Sequence, residues 1–179
     1  MQILLALAPF LVFAVIDRVG GSLAGLFSGA IVALLFLGRE WSIQKRSPKI
    51  LDVGTALLFS GLALYLLSAK PAWSVIVVRF CVDCGLLLIV LISLMVGKPF
   101  TLQYAREQVD SEYWESPEFR RTNYVISSIW AAAFAVMILA ELAILFAAQL
   151  PRRLGIIVIV LALIGAVKFT GWYPTRVSR

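Results

Sequence analysis

The chain of 179 residues is 61% hydrophobic and contains no histidine, and its sixteen Lys and Arg against ten Asp and Glu leave a net charge of +6. A soluble domain is roughly 45–50% apolar; this much apolar material would lack the polar surface needed to cover it in water, whereas a bilayer solvates the excess. The missing imidazole removes His-ligated metals, His general bases and His-based pH switches together. The basic residues lie between apolar runs rather than along a phosphate-binding groove, which excludes nucleic acid as the partner of the positive charge.

At about 20 residues per span, the length holds about six transmembrane helices, so the expected fold is an all-α polytopic membrane protein forming one transmembrane domain over residues 1–179. The first apolar run, residues 3–16, is short and contains Pro9, so it starts in the interface or is kinked there. It has neither a basic leading segment nor a small-residue cleavage site, and we read it as a retained span rather than a signal peptide. Asp17 and Arg18 end it, and Gly20-Gly21 turn the chain back. Spans one and two are therefore expected to form an antiparallel hairpin.

Span two, residues 21–38, carries Gly21, Gly25, Gly29 and Ala33 at four-residue spacing. This places four small residues on one helix face, where another backbone can approach closely. The face serves either a dimer interface, and so a homo-oligomer, or packing within the chain; we read it as packing, with span one the expected neighbour. A basic loop with Arg39, Lys45, Arg46 and Lys49 follows, and Trp41 anchors it at the interface. Spans three and four are read as residues 51–67 and 74–96, separated by Lys70-Pro71 and Trp73.

The long polar interval 97–123 comes next. Phe100, Tyr104 and Arg106 fall on a moderately amphipathic segment, 99–109, expected to lie along the cytoplasmic membrane surface between spans four and five. Tyr113 and Trp114 re-anchor the chain at the headgroups, and Arg120 and Arg121 complete the candidate surface for a partner or the membrane. Ser116-Pro117-Glu118 reads as a helix start, with Ser as N-cap, Pro in the first helical position and an acid in the first turn. That helix leads into span five, residues 124–150. Pro151 stops it, and span six is residues 154–169.

Six spans place both termini on one side. That side carries eleven basic residues: Arg39, Lys45, Arg46, Lys49, Lys98, Arg106, Arg120, Arg121, Lys168, Arg176 and Arg179. The other carries four, Arg18, Lys70, Arg152 and Arg153, while Arg79 falls inside a span. The positive-inside rule puts both termini and the interval 97–123 in the cytoplasm. A five-span chain with the first run on the surface is the competing topology.

Arg79 and Asp83 in span four and Glu141 in span five are ionisable residues at membrane depth, where a charge costs roughly 2.5–3.5 kcal/mol and usually faces the protein interior. At 1.5 Å per residue, Arg79 lies about 8 Å, and Asp83 and Glu141 each about 14 Å, from the outer face. If spans four and five are neighbours, the three form a buried polar cluster. Its two readings are a proton or ion relay (or polar ligand pocket) and a salt bridge that fixes helix registry. Cys81 and Cys84 form a CxxC inside an apolar run and read as small buried residues rather than a redox pair. The acids of 107–118 lack the pattern of a calcium loop and read as a solvated, partner-touching loop. No nucleophile elbow, phosphate loop or dinucleotide fingerprint is present, so no catalytic, cofactor or metal residues are expected and the chain does not read as an enzyme.

The order of features resembles the intracellular septation protein A family of bacterial inner-membrane proteins. The stretch LLALAPFLVFAVI, with Pro9 and Phe13, is similar to that family's opening span, and SGAIVALLFLGREW to its second span and basic loop. Lys98-Pro99, Trp114, Asn123, Trp130 and Phe134 resemble its later pattern. The chain departs from that pattern in the acid-rich stretch 107–118 and the Arg79/Asp83 pair. The resemblance implies a non-enzymatic inner-membrane protein linked to cell-envelope upkeep and division, acting through contacts with other membrane or division proteins, for example as an accessory subunit; it implies no catalytic residues. The alternative is a small ion- or proton-coupled carrier using Arg79, Asp83 and Glu141, although the two halves of the chain show no clear inverted repeat.

Overall fold

Helix ends fall where the sequence places glycine, proline and charge among apolar runs. The computed structural model describes residues 5–42, 48–146 and 151–177. These are mostly helical, with no strand among them. The helices are α1 (Ala8–Ser42), α2 (Ile50–Ala69), α3 (Val75–Met95), the short α4 (Phe100–Ala105), α5 (Pro117–Phe146) and α6 (Arg152–Val177), with one turn of 3-10 helix at Ser111–Tyr113. Five of them, α1, α2, α3, α5 and α6, are long and apolar enough to cross a bilayer, and α1 is broken in two. The protein is thus an all-α, multi-pass membrane protein. Residues 3 and 4 of the first run, Lys45 and Arg46 of the basic loop, residues 147–150 of span five and Arg179 lie outside the described residues.

The chain divides into two compact units, residues 1–89 and 90–179. In the first, α1 breaks at Gly21, whose φ of 81° and ψ of 169° fall in a region that only glycine occupies readily. A Cβ on Gly25 would stand 3.1 Å from the Cα of Asp17 and 3.0 Å from Cδ2 of Phe13. In an unbroken helix, residues eight apart are about 12 Å apart. The two limbs, residues 8–20 and 22–42, are therefore folded back on each other, which is the hairpin expected at Gly20-Gly21. The helix is interrupted at Leu7, two residues before Pro9. Pro9 occupies the first turn of α1, where its missing N–H breaks no helical hydrogen bond.

Large side chains seat on glycines throughout this unit. A Cβ on Gly29 would meet the Phe59 ring at 2.8 Å, joining α1 to α2, and one on Gly54 would meet Ile89 at 2.8 Å, joining α2 to α3. Leu58 seats on Gly85 in the same manner. Phe13, Leu26, Ala30, Phe59, Ala63, Val78 and Val82 form the buried core, and Phe10 and Phe13 meet Phe59 with tilted rings 5.0 and 5.6 Å apart. Lys70 closes α2 in the left-handed conformation, φ 44°, its N–H bonded to Leu66 O. Glu40 and Lys49 pair across the turn between α1 and α2.

In the second unit, α5 begins as Ser116-Pro117-Glu118 predicts: the Phe119 N–H donates to Ser116 Oγ at 3.2 Å, and the helix runs unbroken for 30 residues. α6 packs along it, with Trp130 Nε1–H donating to Thr170 Oγ1 at 3.0 Å. It extends past the expected end at Phe169, through Pro174, where Phe169 stacks on Tyr173 at 5.0 Å and Arg176 lies over Trp172 at 5.4 Å.

Gly25 and Gly61 should respond oppositely to alanine. At Gly25 the new methyl meets backbone, so Gly25→Ala should destabilise by about 1–3 kcal/mol. Nothing lies within 4 Å of the Gly61 Cβ position, so Gly61→Ala should be neutral or stabilise by up to about 1 kcal/mol. Thermal unfolding in detergent micelles checks both, and an unchanged Gly25→Ala would contradict the close hairpin.

Candidate functional site

Arg79 is the best-defined charge of the membrane-spanning segments. It sits in the second turn of α3, and both its Nε–H, at 2.7 Å, and its Nη2 donate to Asp17 Oδ2. Ser22 Oγ–H donates to Asp17 Oδ1 at 2.8 Å from across the hairpin turn. The Asp17 side chain is completely enclosed, and that of Arg79 is 30% exposed. Three segments meet here: the limb before Gly21 supplies the carboxylate, the limb after it a hydroxyl, and α3 the guanidinium. Val78 and Val82, on either side of Arg79 along α3, belong to the buried core, so the pair caps an apolar packing surface.

The sequence ends the first span at Asp17 and Arg18, and the structure corrects this: the helical limb continues to residue 20, with Asp17 buried in it. One signal could have found it. Asp17 lies four residues before the turn and Arg79 four residues into α3, each about 6 Å from its helix end. On the expected topology both ends face the same side, so the two charges share a depth.

The remaining intramembrane charges are placed as follows. Asp83, one turn deeper than Arg79 on α3, is half-buried in the first unit, and Glu141 is buried in the second. Of the small-residue series, Gly25 faces the first limb, Gly29 faces Phe59 and Ala33 is buried. Gly21 is not part of that face: it is the turn itself, with nothing within 4 Å of its Cβ position. Cys81 and Cys84 are both half-buried on α3 and are not joined in a disulfide. Among the described residues, no three His, Cys, Asp or Glu side chains gather as metal ligands.

The second candidate region is residues 97–123. Gly97, with φ 75°, and Pro99 lead into α4. Its first N–H groups are satisfied by hydroxyls rather than by a residue of its own cap: Phe100 N–H donates to Ser93 Oγ at 3.2 Å and Thr101 N–H to Ser127 Oγ at 3.4 Å. Thr101 Oγ1 donates to Asn123 O at 2.9 Å and lies 2.8 Å from Ser127 Oγ. Asn123 Nδ2 donates to Phe119 O at 2.8 Å. α4 is thereby fastened to α5. Phe100 and Tyr104 are buried, not laid on the bilayer as their apolar pattern suggested. The pattern identifies apolar positions correctly, but fully buried Thr101 draws this face against protein.

Beyond α4 the loop is ordered by side-chain contacts. The Arg106 guanidinium lies 5.3 Å from the Trp114 ring centre and its Nη2 is 3.4 Å from Glu115 Oε1. Trp114 Nε1–H donates to Val109 O at 3.0 Å. Tyr113 is exposed at 55%, and Glu112, Arg120 and Arg121 are also exposed. Comparison of the chain with protein-family models, curated proteins and solved structures gives no match.

Removing one member of a buried ion pair strands the other. Asp17→Asn and Arg79→Gln should each therefore destabilise the protein by about 3 kcal/mol, while Asp17→Leu with Arg79→Met should regain most of the loss. A double-mutant cycle of unfolding in micelles measures this; strictly additive losses would show that the pair does not hold the helices.

Proposed function

We propose that this is an inner-membrane protein of the bacterial envelope that acts through contacts with other membrane or division proteins, as an accessory or scaffold subunit. Both termini and the 97–123 segment face the cytoplasm in this reading, which accords with the resemblance to the intracellular septation protein A family. The observation that carries it is the ordered loop between α4 and α5. Arg106, Trp114, Glu115 and Val109 clamp one another, and Tyr113, Arg120 and Arg121 are left facing outward. Tyr, Trp and Arg are the residues that protein interfaces favour, and a pre-ordered loop loses less conformational freedom on binding.

A carrier needs a membrane-embedded charge that can change partners. The Asp17–Arg79 pair instead bridges three packed segments with a fully enclosed carboxylate, an arrangement better suited to fixing helix registry. This supports the contact reading over an ion- or proton-coupled carrier.

Purification from native membrane in mild detergent should bring down partner chains in stoichiometric amount. Tyr113→Ala combined with Arg121→Glu should lower their recovery at least tenfold with unchanged expression. A chain that purifies alone and conducts ions in liposomes, with the flux abolished by Asp83→Asn, would overturn the proposal in favour of the carrier.

A further inference from the structure

Between α5 and α6 lies an apolar groove of about 360 Å³ that runs inward from Pro151. Its walls include Val136, Ala140, Ala143 and Ile144 from α5 and Gly155 and Val158 from α6. The small side chains explain it: Ile144 seats against the bare Cα of Gly155, so the helices approach closely at that point, and the alanines beside it leave a slot. From Pro151 to Val158 the slot descends about 10 Å along the helix. Its borders, Leu139 and Leu154, are exposed apolar side chains on membrane-spanning helices, so the groove opens onto the hydrocarbon of the bilayer. Its volume is at the small end of the roughly 300–1,000 Å³ usual for ligand sites, suited to part of one acyl chain rather than a whole lipid.

The mouth of the groove is charged. Arg152 and Arg153 follow Pro151 directly, Arg153 is exposed, and the sequence has no Asp or Glu anywhere after Glu141. An exposed cation at the start of α6 with no acid on its own helix calls for an external anion, and an arginine stem is long enough to reach headgroups beside the helix end. We propose that this groove is a phospholipid site: one acyl chain of an anionic glycerophospholipid lies in the slot, and its phosphodiester is bound by Arg153.

The test uses the full chain, delipidated in detergent, with binding followed by native mass spectrometry. The probes are dioleoylphosphatidylglycerol and dioleoylphosphatidylcholine. Phosphatidylglycerol should bind about fivefold more tightly, and Arg153→Gln should abolish the preference, since one basic residue near a membrane surface contributes on that scale. Lys168→Gln, exposed at the other end of α6, should leave the preference intact. Ala143→Phe should weaken both lipids by filling the slot; Val158→Phe fills it from the other helix and substitutes should Ala143→Phe fail to fold. Glycerophosphoglycerol, the headgroup without chains, should not compete. Equal binding of the two lipids, a preference that survives Arg153→Gln, or full competition by the free headgroup would overturn the proposal.

Discussion

Lipid surrounds an apolar side chain much as a neighbouring helix does, so helices in a bilayer hold together only where they approach more closely than lipid can. Glycine is the means of that approach here. Phe59 on Gly29, Ile89 on Gly54 and Leu58 on Gly85 join α1 to α2 and α2 to α3, and Gly25 lets the two limbs of α1 close on each other. In the second unit Ile144 on Gly155 does the same for α5 and α6. Each pairing sets a bulky side chain against bare backbone, which trades no polar group and needs no water to drive it.

Polar groups are used sparingly, at points where packing alone leaves freedom. Close-packed apolar surfaces can slide along one another, whereas Asp17 accepts from Arg79 and Ser22 in one register only. Thr101 plays the corresponding part in the second unit, because α4 is too short to stand by itself and is defined by its hydroxyl and amide bonds to Ser127, Asn123 and Ser93. The loop beyond it needs Arg106 stacked on Trp114 for the same reason: a polar segment outside the bilayer has no apolar face to order it.

Much of this was legible in the residues. Gly20-Gly21, Lys70-Pro71 and Pro151 end apolar runs of spanning length, and Ser116-Pro117-Glu118 starts a helix by satisfying and charging its first turn. What escaped was orientation. An aspartate after an apolar run reads as the end of a span unless its partner is known, and the partner of Asp17 is 62 positions away. Phe100 and Tyr104 show the same limit, since an apolar stripe does not say whether lipid or protein covers it. Gly21 fits the four-residue spacing of the span-two face, yet its backbone conformation makes it the turn; spacing carries no information about φ and ψ.

The separation between Asp17 and Arg79 also gives the protein a history. The ribosome adds about 5–20 residues per second, so Asp17 is made roughly 3–12 seconds before its counter-charge exists. During that interval the carboxylate has only the Ser22 hydroxyl within the hairpin, and the bilayer interior resists a lone anion. The hairpin tip is then best kept among the headgroups, settling to its final depth when α3 delivers the guanidinium. The order of synthesis thus makes the first hairpin of the chain the last part of its unit to reach its seat.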